Sequence, residues 1–453
     1  MDETSRTGSA RGTEESGETQ PAVPNAQQDP APESDATEES KATFLPEPKP
    51  KRKGLALCLS GGGFRAALFH LGALRRLNEL GILTQIDTFS TVSGGSLVSA
   101  YLAERLRPWP PKGEIIRDWD KRMADPLLDF IRHDIRTGPI RKRLLPWNWG
   151  RTQTQVNALE KSYYRGITRL KLKDLPDAPR FIFCASDLSF GVLWVSEKRR
   201  IGNYIAGYLR PELIDWTVAR AVAASSCFPP VFDPLSPNLP LEKLRGGIKV
   251  KARPRDFQEL VTNIGLTDGG IYDNMGLEAV WKSHRTLLVS DGGATFDPEW
   301  DKGLKGILWR LPRYAAVAGK QSLAVRRRWL MSNFILGEID GTYWGIGSST
   351  DKYVDDPSLA TTGYGRELVD NFVSEVRTDF DAFTTAEMAV LENHGYSMAE
   401  AAVRRYAPAL VVPNALPFAM PYPDWLDENR VKEALEDSSK IKLFGHKDKA
   451  PKR

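Results

Sequence analysis

Leu55-Ala56-Leu57-Cys58-Leu59-Ser60-Gly61-Gly62-Gly63-Phe64-Arg65 decides the reading of this chain. Five apolar residues run straight into three glycines, as a buried strand does when it leaves a sheet through a tight turn. Behind the turn, Phe64, Ala67, Leu68, Leu71, Leu74, Leu77 and Leu80 recur at spacings of three and four, and Gly81 supplies a stop. That spacing predicts a helix over 64–80. A second strand, 86–92, enters Ser93-Gly94-Gly95-Ser96 and a helix over 97–106. Strand, helix, strand, helix at this interval implies a mostly parallel central sheet with both faces covered, an α/β protein. Further strands are expected at 180–185, 192–196, 265–267 and 286–290, with a helix at 216–224.

Outward from this centre the composition changes. Residues 1–50 hold eleven acids against four bases and a single aromatic, Phe44, which predicts a disordered acidic tail over 1–53. The remaining 58 bases and 47 acids make residues 51–453 basic, which suits an anionic partner surface. The α/β pattern occupies 54–300. From 301 to 453 it becomes mainly helical, with separate helices expected at 385–393 and 398–406, a C-terminal extension. With 41% hydrophobic and 26% charged residues the chain can bury a sizeable core. Cys58, Cys184 and Cys227 lie far apart in apolar settings, which excludes a disulfide framework and a cysteine metal site. No run approaches the ~18 apolar residues of a membrane-spanning helix. The N-terminus carries no apolar signal region, so a soluble cytoplasmic protein is expected.

Two chemistries fit the first glycine turn. Gly61, Gly63 and Ala66 match the dinucleotide fingerprint, yet its acidic partner belongs at the end of the second strand, and Asp87 stands at that strand's start. The other use of Gly61-Gly62-Gly63 is to let backbone N–H groups approach a developing oxyanion at a helix N-terminus, with Arg65 adding positive charge. The second turn separates these. Thr91-Val92-Ser93-Gly94-Gly95 resembles the nucleophile elbow G-x-S-x-G, with Thr91 at its first glycine position and Gly94 and Gly95 supplying small neighbours. A serine needs a base, and two triplets offer one: Asp268-Gly269-Gly270 and Asp291-Gly292-Gly293. Either aspartate also suits a plain turn before glycine. Ser93, Asp268 and His284 run in triad order, but His284 lies in the polar stretch Trp281-Lys282-Ser283-His284-Arg285 and reads as a surface residue.

In its glycine turn with Phe64 and Arg65, its elbow at Ser93 and its Asp268-Gly269-Gly270 triplet, the chain resembles the patatin-like phospholipases. Cys184-Ala185-Ser186-Asp187-Leu188 and Ala223-Ala224-Ser225-Ser226-Cys227-Phe228-Pro229-Pro230 add to the likeness, which covers about 54–295. The resemblance implies a three-layer α/β/α fold and a Ser–Asp dyad acyl hydrolase needing neither metal nor cofactor. Ser93 would be its nucleophile and Asp268 its base, with the N–H groups of Gly62, Gly63 and Phe64 as oxyanion hole. The expected substrate is a membrane lipid, cleaved as by a phospholipase A or lysophospholipase. A neutral-lipid or general carboxylester hydrolase, or a catalytically silent binding protein on the same fold, are the alternatives. Membrane contact is expected through 302–337, with eight Lys/Arg and no acid, and through 136–151, with five bases beside Trp147 and Trp149. No nucleic-acid motif accompanies these basic stretches.

Overall fold

The computed structural model describes residues 51–144, 153–248, 254–293, 307–356, 361–436 and 438. Its centre is one mixed sheet. Strand β1 (Leu55–Leu59) lies between β2 (Thr88–Val92) and β8 (Thr286–Asp291), and both pairs are parallel. Beyond them β3 (Arg180–Asp187) joins β2 and β9 (Asp340–Gly345) joins β8, again in parallel. On the far side of β3 the sheet turns antiparallel through β4 (Val192–Ser196), β5 (Ile201–Asn203) and β6 (Gly207–Leu209).

Alternation along the strands builds two cores. Leu55, Leu57 and Leu59 of β1 face one hydrophobic cluster, while Ala56 and Cys58 face the other. Helices α1 (Gly63–Glu79), α2 (Gly94–Arg105), α3 (Val218–Ser226) and α5 (Thr385–Tyr406) cover the first face. The second face is covered by 275–281 and by α4 (Ile307–Ile335), whose Trp329 packs on Trp281 with ring centroids 4.5 Å apart. The result is the expected three-layer α/β/α arrangement.

The structure departs from the sequence reading in its long C-terminal helix and in strands β5, β6 and β9. The two helical pieces expected at 385–393 and 398–406 are one helix that runs through Gly395. This glycine is a crossing point: a Cβ there would stand 1.8 Å from the Phe69 carbonyl oxygen of α1, and one at Gly72 would stand 1.9 Å from that of Glu392. Arg75–Glu392 (2.7 Å) and Arg76–Glu400 (2.7 Å) lock the same contact with buried ion pairs. Strand β9 carries no apolar alternation and was not expected.

One further strand positions the site. Strand β7 (Leu266–Asp268) pairs antiparallel with Ala185–Asp187 of β3, with Ala185 opposite Asp268. The other edge of these residues is held by β4, so β7 takes the edge that β2 has just left. Since Val92 is opposite Cys184, the residue after Val92 and the partner of Ala185 arrive at the same place.

Candidate active site

Those two residues are Ser93 and Asp268. Ser93 sits between β2 and α2 with φ 50° and ψ −115°, a left-handed conformation that non-glycine residues rarely adopt. The strain is held by crowding: Cβ atoms at Gly94 and Gly95 would fall 2.1 Å from the Gly63 oxygen and 2.3 Å from the Leu59 oxygen. The elbow and the first glycine turn therefore touch backbone to backbone. Gly94→Ala is expected to destabilise the chain by about 1–3 kcal/mol through overpacking. Gly138→Ala, in open space on the helix Thr137–Leu144, will be neutral or slightly stabilising. Denaturant unfolding of the two variants checks this. Thr91 replaces the elbow's first glycine without conflict, because its hydroxyl donates to the Ile182 carbonyl at 3.1 Å and lies 3.1 Å from Ser96 Oγ.

Asp268 is buried, and burial pushes its carboxyl up to about 6, while hydrogen bonds from the Gly270 N–H and the Ser93 hydroxyl hold it down. The Gly270 bond is 2.7 Å. The carboxyl is thus raised toward neutrality yet still ionised at pH 7. Gly269 N donates to the Ser225 carbonyl at 3.2 Å, which fixes the triplet to the end of α3.

Gly61, Gly62 and Gly63 face Ser93 and Asp268 across a cavity of about 270 Å³, closed by Phe228, Pro229, Ile271, Asn274, Thr378 and Asp379. The N-termini of α1 and α2 both converge here, so two helix dipoles favour negative charge at one spot. Gly62 (φ 143°) and Gly63 (φ 61°) adopt backbone conformations that favour glycine. Among the described residues their N–H groups donate to no partner. The Phe64 N–H, by contrast, donates to the Asp379 carbonyl at 2.8 Å. Of the three N–H groups expected for an oxyanion hole, those of Gly62 and Gly63 are open among the described residues and that of Phe64 is engaged. Arg65 lies away from the cavity: its buried guanidinium donates to the carbonyls of Ser374 (3.1 Å), Val376 (2.9 Å) and Gly292 (3.2 Å).

Residues 57–281 match the family model Patatin-like phospholipase. This chain carries a patatin-like phospholipase domain. A patatin-like phospholipase domain-containing protein of Aspergillus niger is 27% identical over 186 residues, 40% of this chain and 21% of that relative's length. Among solved structures, human GIVD cytosolic phospholipase A2 aligns over 89% of this chain and 65% of its own, at 11% identity and TM-score 0.35. VipD of Legionella pneumophila aligns over 85% and 75%, at 13% identity and TM-score 0.28.

Within the patatin-like domain the competing readings fall away. Asp87 accepts the Leu55 N–H at 2.9 Å and pairs with Lys112, at the edge of the sheet opposite the glycine turn, so the dinucleotide fit has no acid. His284 is buried rather than on the surface, its Nε2 2.9 Å from Thr88 Oγ1 at the start of β2. Five residues of strand, about 16 Å, separate that point from Ser93. His70 is buried and pushed down to about 4, its Nε2 donating to Ser60 O and its Nδ1 accepting from Ser290 Oγ. His394 bonds Ile346 O, and His133 lies against Asp129 O on the surface. Among the described residues no histidine bonds Ser93 or Asp268. The second triplet's Asp291 accepts from Tyr343 Oη and the Gly293 N–H, a turn beside the cavity and not part of its wall.

Four contributors carried no sequence signal of their own. Ser225 Oγ accepts the Ser93 N–H at 2.9 Å, donates to Cys184 O at 2.6 Å and meets Ser96 Oγ at 2.9 Å, so one hydroxyl ties the elbow to β3. It stands inside the quoted Ala-Ala-Ser-Ser-Cys block, and only the fold shows which serine does this. Asn274, four residues past Gly270, accepts the Gly61 N–H with its carbonyl at 3.1 Å. Thr378 and Asp379 come from beyond the matched domain. Of the basic segments, Arg136 is buried in ion pairs with Asp379 and Asp381, while Trp147, Trp149, Lys302 and Lys305 lie outside the described residues.

Proposed function

We propose that this chain is a serine acyl hydrolase of the phospholipase A or lysophospholipase type. The observation that carries the reading is the meeting of Ser93, strained on its elbow, with Asp268 in one cavity facing the free N–H groups of Gly62 and Gly63. In this mechanism the Asp268 carboxylate takes the Ser93 proton as Oγ attacks the ester carbonyl carbon. The carbonyl oxygen becomes an oxyanion held by Gly62 and Gly63, where one donor contributes about 2.7–4 kcal/mol. Collapse breaks the bond to the alcohol, which leaves with the proton from Asp268. Water then attacks the acyl-serine by the same route, releasing the fatty acid and restoring Ser93.

The site would reach its substrate at a lipid surface. A second groove shares Gly270 and Asn274 with the cavity and is walled by Ala316, Lys320 and Leu323 of α4. On its outer side α4 exposes Tyr314 (59%) and Val317 (41%), and Ile271 (53% exposed) stands at the cavity mouth. An apolar rim on a basic helix suits the headgroup layer. Trp329 and Phe334 of the same helix pack against the sheet instead, so the contact rests on the exposed half. Among the described residues no helix is long and apolar enough to cross a membrane.

Fatty-acid release from mixed phospholipid liposomes tests the proposal. Wild type is expected to release free fatty acid, and Tyr314→Glu with Val317→Glu to weaken liposome sedimentation while leaving hydrolysis of a soluble short-chain ester unchanged. A wild type that cleaves no ester and takes no fluorophosphonate label would overturn the reading.

A further inference from the structure

The cavity has one wall that the patatin-like domain does not supply. Segment Ser374–Asp381 crosses the N-terminus of α1, where the Asp379 carbonyl takes the Phe64 N–H at 2.8 Å. The two backbones are in contact, since a Cβ on Gly63 would lie 2.5 Å from that same carbonyl oxygen. Two buried arginines hold the segment. Arg65 grips the carbonyls of Ser374 and Val376 from the α1 side. Arg136 pairs with the carboxylates of Asp379 and, at 3.3 Å, Asp381 from the other. The chain around Arg136 is bonded to the strap as well: Ile135 N donates to Phe380 O at 3.1 Å, and Phe383 N to Ile131 O at 3.4 Å. The Phe380 ring packs on Phe64 at 5.2 Å and on Phe228 at 5.9 Å, so the strap also braces a side chain of the cavity wall.

We infer that Arg136 is a positioning residue, which acts through Asp379 to seat the strap 374–381 against Gly63 and Phe64 and so sets the oxyanion turn. The inference rests on the hydrolase reading of Ser93. Its physical basis is that the Gly62 and Gly63 N–H groups belong to the first turn of α1, whose backbone is anchored by the Phe64–Asp379 bond. A carboxylate pulled into place by a buried guanidinium fixes the adjacent carbonyl, because Asp379 carries both groups. The strap lies some hundred residues past residue 281, where the family match ends, so this wall comes from outside the matched domain.

The test uses the full chain with Arg136→Gln, Arg136→Lys and Asp379→Asn, each kept well below its own melting temperature. Hydrogen exchange of the Phe64 amide and the rate of fluorophosphonate labelling at Ser93 are the two readouts. Arg136→Gln and Asp379→Asn are expected to speed the exchange and to slow labelling by about tenfold or more, with Arg136→Lys recovering part of each. Labelling within about twofold of wild type in the folded variants overturns the inference, even if exchange quickens, because the strap would then be merely structural. A wild type that takes no label overturns the hydrolase reading instead, and the Phe64 exchange alone then decides whether Arg136 seats the strap.

Discussion

Ser93→Ala is expected to abolish ester turnover, with a loss on the order of 10⁴-fold or more, and to leave the protein blind to fluorophosphonate. The argument is one of substitutes. Besides Ser93, the cavity's only lining hydroxyl among the described residues is Thr378, which sits on the strap and not on the elbow. Ser225, though adjacent, directs its hydroxyl into the Cys184 carbonyl and accepts the Ser93 N–H with its lone pair. Ser60 accepts the Gly292 N–H at 2.8 Å in the same way. Neither can replace the missing nucleophile. Stability offers a second reading of the same residue. A non-glycine held at φ 50° costs on the order of 1–3 kcal/mol, so Ser93→Gly should raise the unfolding free energy by a like amount while remaining inactive. Ser93→Ala keeps the strain and loses the hydroxyl's bond to Asp268, so it should show no such gain in stability. An alanine variant that retains more than about a tenth of the wild-type rate would exclude Ser93 as nucleophile.

The parts legible in the sequence were those where chemistry demands a small residue at a fixed place. Gly94 and Gly95 announce an elbow because α2 begins in van der Waals contact with two other backbones, and no side chain fits there. The strand leading into the first turn was legible too, since β1 is buried on both faces and apolar throughout. Asp268 was legible as the favoured one of two Asp-Gly-Gly triplets, through the family resemblance. Its advantage over Asp291 is topological: β7 takes the edge vacated by β2, whereas β8 lies on the other side of β1.

What the sequence hid is long-range pairing. His284 follows Ser93 and Asp268 in triad order, yet order along the chain does not say at which end of a parallel sheet a residue lies, and His284 lies against the start of β2. Gly395 reads as a helix break in isolation, and becomes a crossing only when Gly72 faces it. Arg65 and Phe64 were placed in the oxyanion turn because they adjoin it. Their polar groups turn instead to a segment three hundred residues away, and adjacency in sequence gave no sign of that.

Asp268→Asn carries the other large effect, and it separates activity from stability. Asparagine keeps an oxygen for the Gly270 N–H but cannot accept a proton, so turnover should fall on the order of 10²–10⁴-fold, the usual range for general-base catalysis. In wild type the carboxyl near 6 must be ionised to act. The rate should therefore climb with pH through about 6 and level off above it, with the climb absent in the residual activity of the variant. Stability follows the opposite sign. The folded carboxyl is raised above its ordinary 3.8, so the native state binds the proton more tightly than the unfolded chain does. Its contribution is most favourable below pH 3.8 and is lost as pH rises through about 6. At pH 8 the buried charge costs about 3 kcal/mol of folding free energy, a cost the asparagine variant does not bear. Denaturant unfolding at pH 8 should then find Asp268→Asn more stable than wild type, with the gap closing toward pH 4. A variant that is inactive but no more stable at pH 8 would mean that Asp268 is solvated and of ordinary basicity. A variant that is stabilised yet fully active would remove Asp268 from the chemistry and leave Ser93 without a base among the described residues.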